Sequence, residues 1–292
     1  MFNRFKTAAL LAFLTALFLF TGNLLGGTFG LAIAIVLAIV MNFGTYWFSD
    51  RLILRFYRAQ QIGADDDPQL FGMVTSLANR AQIPMPKVYL IPESAPNAFA
   101  TGRNPKNAAV AVTNGLRAML SRDEMYGVLA HEIAHIKNRD TLIMTIAGAI
   151  GGAIGLIAEM AFWSSLFGSS DDDEGSNPVG GLLGLILAPI AAMLIQMSIS
   201  RSREFVADET GAKLSGDPRA LASALRKIEA WSAKVPLRAG NPATSHLFII
   251  NPLTANRLRS LFSTHPATEK RIERLEAMAT TSFRNFEPVV VN

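Results

Sequence analysis

Apolar positions along the chain gather into four uncharged runs that alternate with two polar blocks. No charged residue occurs from residue 7 to 49, between Lys6 and Asp50, which is room for two helices of roughly 20 residues each. The pattern predicts one helix from Thr7 to about Leu25 and a second from Leu31 to about Phe48, with Gly26, Gly27 and Gly30 at the turn. A cleaved signal peptide is a poor match for the first run, because no small-x-small site precedes a polar start and a second apolar run follows at once. Thr141 to Ala158 and Val179 to Ser200 are also uncharged. Gly148, Gly151, Gly152 and Gly155 give the small-xxx-small spacing that lets helices pack closely in a bilayer. Glu159 lies late enough in its run to reach headgroups, and Pro189 would kink the last helix.

These runs divide the chain into an apolar hairpin (1–48), a polar block (49–140), a second apolar hairpin (141–200) and a second polar block (201–292). In the first block, Lys87 to Ile91 is rich in β-branched and aromatic residues. A proline turn follows, then Asn97-Ala98-Phe99-Ala100, then the alternating "NAAVAVTNG". Together they predict a small sheet with an exposed edge. Ser121-Arg122-Asp123-Glu124 has the form of a capping box, and Met125, Leu129, Ile133 and Ile136 supply the stripe of an amphipathic helix. In the second block, Asp217-Pro218 opens another amphipathic helix, to about Trp231.

Composition changes the picture in one respect. Half the residues are hydrophobic, 17% are charged and the mean hydropathy is +0.28, too apolar for an ordinary soluble domain. A membrane is therefore the first expected partner. The flanking charges set an orientation: Arg4 and Lys6, Arg51, Arg55 and Arg58, Lys137 and Arg139, and Arg201 and Arg203 flank the runs on one side, the cytoplasmic one. The opposite connections are uncharged (Thr21 to Gly30) or acidic (Asp171, Asp172, Asp173, Glu174). The net charge of +4 largely reflects these flanks and gives no reason to expect nucleic acid. Without cysteine, disulfides and thiolate metal ligands are excluded.

The candidate chemistry lies in "GVLAHEIAHIKNRD", residues 127–140, which holds two of the four histidines. Positions i and i+4 share a helix face, so His131 and His135 can point at one metal ion. Glu132, about 100° further round, can reach a water beside that ion, the place for a general base. A capped helix with satisfied histidines is the bland alternative. A third ligand must come from elsewhere. "SISRSREFVADETGAKL" places Glu204 and Asp208 one turn apart on a helix leaving the fourth run, where a membrane hairpin would lay it beside the HExxH helix. Glu204 could complete a His2Glu set, with Asp208 orienting a ligand histidine. A solvated juxtamembrane helix of mixed charge fits the spacing equally well.

HEIAH at 131–135, followed after a hydrophobic hairpin by RSREFVAD at 201–208, resembles the M48 family of membrane zinc metallopeptidases, and the likeness covers nearly the whole chain. The resemblance implies one zinc ion per chain on His131, His135 and Glu204, with Glu132 as the base. It also implies a stress-response role in quality control of damaged membrane proteins at the cytoplasmic face of the bacterial inner membrane. "PNAFATGR" at 96–103 and "THPATEKRI" at 264–272 fit the same family. By that likeness Asn97, Ala98 and Phe99 are candidates for pairing with an extended peptide substrate. His265 is either a transition-state hydrogen-bond donor or a structural cap. Arg271 either braces the acidic residues at the metal or is a solvated helix charge, and His246 reads as a loop histidine.

The fold expected is therefore membrane α-helical, with about four transmembrane helices carrying a mainly α, α+β zincin-like (gluzincin) peptidase domain on the cytoplasmic side. A CAAX-type prenyl-peptide endopeptidase would share the chemistry but usually has more spans. A channel or transporter with a structural metal site would show ionisable residues within its spans, which apart from Glu159 and the neutral Gln196 are nearly absent, and a silent scaffold would not need Glu132.

Overall fold

The structure, a computed structural model, describes residues 2–144, 146, 201–234 and 267–284. Most of the second pair of apolar runs, together with His246 and His265, lies outside the described residues.

The chain begins with a helical element, α1 (Phe2–Phe56), which carries the first two apolar runs. It is not straight. Asn42 Nδ2 donates to Thr15 Oγ1 at 2.7 Å, although residues 27 apart in an unbroken helix would lie about 40 Å apart. The chain doubles back at Gly27, whose φ of 55° is left-handed. Gly22 and Gly30 face each other across the fold so closely that a Cβ on Gly22 would fall 2.6 Å from Gly30 O. Among the described residues, one stretch, Gly27–Phe48, is long and apolar enough to cross a membrane. It leaves Phe29, Val36, Ile39, Val40 and Phe43 exposed.

A four-stranded sheet follows, β1 (Gln60–Ile62), β2 (Lys87–Ile91), β3 (Ala98–Asn104) and β4 (Asn107–Thr113), in the order β1-β2-β4-β3. β2 and β4 run parallel and the other pairs antiparallel. β4 is central and reads as a near-continuous small-apolar run because both its faces are covered. Period-two alternation divides the sheet: Val88, Ala98, Ala100, Val110 and Val112 face the main core, while Ile91, Phe99, Ala109 and Ala111 pack on Ile53 and Leu54 of α1. β1 and β3 are the two edges of the sheet; the sequence predicts an exposed edge, but Ala98 to Gly102 of β3 are buried, because α4 and α1 lie against the strand.

Against the main-core face lie α2 (Pro68–Ala81), the short α3 (Asn114–Met119) and α4 (Arg122–Asn138); α5 (Arg201–Ser215), α6 (Pro218–Lys234) and α7 (Thr268–Arg284) close around them. α4 begins as the sequence predicts: Ser121 Oγ accepts from Glu124 N, and Glu124 Oε2 accepts from Ser121 N at 2.8 Å. It departs from the expected amphipathic helix, because every residue from Gly127 to Ile136 is buried. A helix enclosed all round by α2, α5, α6 and β3 has no polar stripe to show. Its histidines and glutamate thus lie in the interior.

Candidate metal centre

Two helices supply the donors. α4 presents His131 and His135 on one face, and α5 lies alongside it with Glu204 turned inward; all three are at most 3% exposed. His131 Nε2 and His135 Nε2 are 3.1 Å apart, and the Glu204 carboxylate oxygens stand 3.6 Å from each. Donors around a tetrahedral zinc, bonded at about 2.0–2.1 Å, would be separated by roughly 3.3 Å. Among the described residues, these three side chains bring their donor atoms within 4.8 Å of one another, close enough to share one ion.

The histidines are oriented from behind. His131 Nδ1 lies 3.0 Å from Asp208 Oδ1, and His135 Nδ1 lies 3.4 Å from Asp140 Oδ2. With each Nδ1–H given to a carboxylate, both Nε2 atoms turn lone pairs toward Glu204. Three acceptors then converge on one point, a hole for a cation. Four buried carboxylates (Glu132, Asp140, Glu204, Asp208) meet two guanidiniums (Arg203, Arg271) here. The acidic groups outnumber the guanidiniums, an excess that suits a divalent cation.

Arg271 of α7 holds the acidic side together. It is 1% exposed, and its Nε and Nη2 donate to Asp208 at 2.8 and 2.7 Å while Nη1 lies 3.7 Å from Glu204. This fork-to-fork geometry is the strong form of the pair. Burial would push the Asp208 carboxyl up, but Arg271 and the bond to His131 hold it well below the usual carboxylate range. Burial likewise works against the charge of His131, yet its bonds to Asp208 and Glu204 raise it well above an ordinary imidazole. The pocket takes up positive charge on whatever is available.

Glu132 is 4% exposed, and the main-chain N–H of Ala100 on β3 donates to it. Burial pushes its carboxyl up, against the pull of His131 and His135. A raised carboxyl beside the three donors is suited to accept a proton.

The close fit of α5 on α4 depends on Gly211. A Cβ there would fall 2.9 Å from His131 N and 3.0 Å from His131 Cα, so only glycine permits this approach. Gly211 lies three residues after Asp208 and seven after Glu204, on the same helix face.

Just before β3, Asn97 N donates to Thr113 Oγ1 and its carbonyl accepts from Thr113 N, so Asn97 is turned toward β4. Phe99 is buried against Tyr57, with ring centres 5.6 Å apart. Ala98 falls on the alternate register, with its main chain turned away from β4 and its side chain buried. Asp140 and Gly211 were not singled out by spacing. Asp140 is placed by Arg139, whose left-handed φ of 60° folds the chain back so that Asp140 N bonds His135 O. A basic residue there gave no hint of that turn.

Comparison with known proteins agrees with this geometry. The sequence profile of Peptidase family M48 matches residues 64–279, a span that contains every donor named above. The chain belongs to peptidase family M48. It is a metalloprotease. Members similar to it include the "Protease HtpX homolog" of Syntrophobacter fumaroxidans, 55% identical over 94% of this chain and 99% of that protein. The homologue of the same name from Persephonella marina is 56% identical over 94% and 96%, and that of Pyrococcus abyssi 55% identical over 94% and 95%. Among solved structures, S. mikatae Ste24p superposes with a TM-score of 0.50 at 19% identity. That likeness covers 94% of this chain but 65% of the other, and it speaks to the M48 fold alone.

Proposed function

We propose that this M48 metalloprotease is a membrane-anchored zinc endopeptidase that cleaves unfolded polypeptides, damaged membrane proteins among them, at the cytoplasmic face. The observation that carries the reading is the convergence of His131 Nε2, His135 Nε2 and Glu204 at tetrahedral spacing with Glu132 beside them. His131, His135 and Glu204 would hold the ion. Bound there, zinc supplies Lewis acidity that acidifies water and polarises a carbonyl. Glu132 accepts the proton of the attacking water and delivers it to the leaving amine nitrogen, so no acyl-enzyme forms. Asp208 and Asp140 fix the two imidazoles, and Arg271 fixes Asp208. Of the outward main chain of β3, Ala100 N–H and Gly102 O are engaged by Glu132 and Thr141, so pairing with an extended peptide falls to the segment at Ala98. The basic flanks of the apolar runs support the cytoplasmic orientation, and α1, with its exposed apolar surface, supports the anchor.

The test compares wild type with Glu132→Gln and Glu204→Ala in detergent, following bound zinc and cleavage of a casein-like unfolded substrate. Glu132→Gln is expected to keep one zinc per chain and lose at least about 100-fold in kcat. Glu204→Ala is expected to lose both. Normal cleavage by Glu132→Gln would refute the assignment.

A further inference from the structure

β3 runs between the site and the membrane end of α1, and its bonds fix how far apart these are. Asn97 pairs inward with Thr113, so the alternate residues Ala98, Ala100 and Gly102 turn their main chain outward. Ala100 N–H meets Glu132 and Gly102 O accepts from Thr141 Oγ1 at 2.8 Å. One residue later the strand touches α1, where the Arg103 guanidinium stacks on the Trp47 ring at 4.5 Å. Trp47 closes the apolar stretch Gly27–Phe48 in a cluster with Phe43 and Tyr46, and Asp50, Arg51 and Arg55 come next. Aromatic rings followed at once by the first charges are the signature of the headgroup level.

The path from Trp47 to Glu132 is short. Ala100 to Arg103 is three strand residues, about 10 Å. With the reach of the Arg103 and Glu132 side chains, the carboxylate lies no more than about 25 Å from the girdle, a length that about eight extended residues span.

We propose that the site cuts polypeptide as it leaves the bilayer, at bonds as near as about eight residues from the end of a substrate's apolar span. The Arg103–Trp47 stack, with the packing of Phe99 on Ile53, Leu54 and Tyr57, holds the strand at this reach. The inference rests on the membrane anchor and the role of Glu132 given above. A site carried well above the surface could not reach such bonds, however flexible the substrate. The short reach makes the juxtamembrane segment of a membrane protein the preferred substrate.

The experiment uses the full chain in phosphatidylethanolamine/phosphatidylglycerol vesicles with a single-span substrate carrying an unfolded casein-like tail, and maps cleavage positions by mass spectrometry. The free tail is assayed beside it. Cleavage beginning about eight residues past the span, and at least about tenfold faster for the anchored than the free tail, is the expected result. Trp47→Ala and, as a milder change, Arg103→Gln should move the first cleavage outward while free-tail cleavage stays within about twofold. A wild type that cuts the free tail but no anchored bond within about 20 residues of the span overturns this inference and leaves the protease assignment standing. A wild type that cuts neither removes both.

Discussion

The two histidines of the candidate centre sit one helical turn apart on α4 and are held in unequal ways. His131 is backed by Asp208 at 3.0 Å, and Asp208 in turn is gripped by both nitrogens of the Arg271 fork. His135 is backed by Asp140 at 3.4 Å, and the guanidinium nearest to Asp140, that of Arg203, stands at 3.8 Å. The first chain of contacts ties three helices together across the core. The second closes on a turn at the end of α4. The difference teaches that rigidity at the site is supplied from α5 and α7, so the tightest element of the metal centre is also a main tie of the fold.

Removing that tie is the most severe way to break the comparison. Arg271→Ala leaves Asp208 and Glu204 buried without their counter-charge, and breaking such a pair from one side costs about 3–5 kcal/mol. Chemical denaturation of the detergent-solubilised protein should show that loss, whereas Arg203→Ala, at the looser end, should cost less than half as much. Equal losses would mean that the two flanks are equivalent after all.

Gly211 sharpens the comparison at the helix spacing itself. In Gly211→Ala the new methyl meets the His131 backbone, so α5 must withdraw and carry Glu204 and Asp208 with it. Metal sites tolerate only about 0.2 Å of donor displacement, and zinc affinity should fall at least about tenfold. Gly127 provides the control, since a Cβ there meets Leu221 of α6 at 2.9 Å, away from the donors. Gly127→Ala should lower stability by about 1–3 kcal/mol with zinc affinity unchanged. The absorption spectrum of the cobalt-substituted protein reads the coordination geometry directly, and an unaltered spectrum in Gly211→Ala would sink the idea.

The two carboxylates behind the histidines come next. Losing such a partner typically costs 10- to 100-fold in metal affinity. Asp208→Asn should fall at the upper end and Asp140→Asn at the lower, following their distances. Competition with a chelator ranks them, and the reverse order would show that distance is not what decides.

How much of this was legible beforehand follows from what each residue depends on. His131, His135 and Glu132 are positioned by the 3.6-residue period of one helix, which a sequence displays. The capping box at Ser121 and Glu124, the strands at Lys87–Ile91 and Asn107–Thr113, and the Asp217 cap are local in the same sense. The site residues that spacing left open depend on contacts between helices. Glu204 and Arg271 read equally well as solvated charges until α5 and α7 are placed against α4. Gly211 acts through the absence of a side chain, which leaves no pattern at all. The burial of α4 on every side was hidden because its polar residues are those of the site, so the helix looks half-solvated in sequence.

The gentlest perturbation lies furthest from the donors. Glu124 caps α4 and also accepts from Ser223 Oγ and Lys227 Nζ of α6, both at 2.7 Å. Burial would raise its carboxyl, but the bonds from Lys227, Ser223 and Ser121 outweigh it and bring it from 4.5 down to about 2. Because the folded chain binds this proton less readily than the unfolded chain, the contribution is fully present above about pH 4.5. It is lost as the pH falls toward 2. Lys227 is half in water, where screening weakens the pair, so Glu124→Gln should cost about 1–2 kcal/mol at pH 7. Melting temperatures of wild type and variant should differ at neutral pH and converge between pH 4.5 and 2, with zinc content at pH 7 the same in both. If the gap stays constant through that interval, the clasp between α4 and α6 is held by its neutral hydrogen bonds and not by charge.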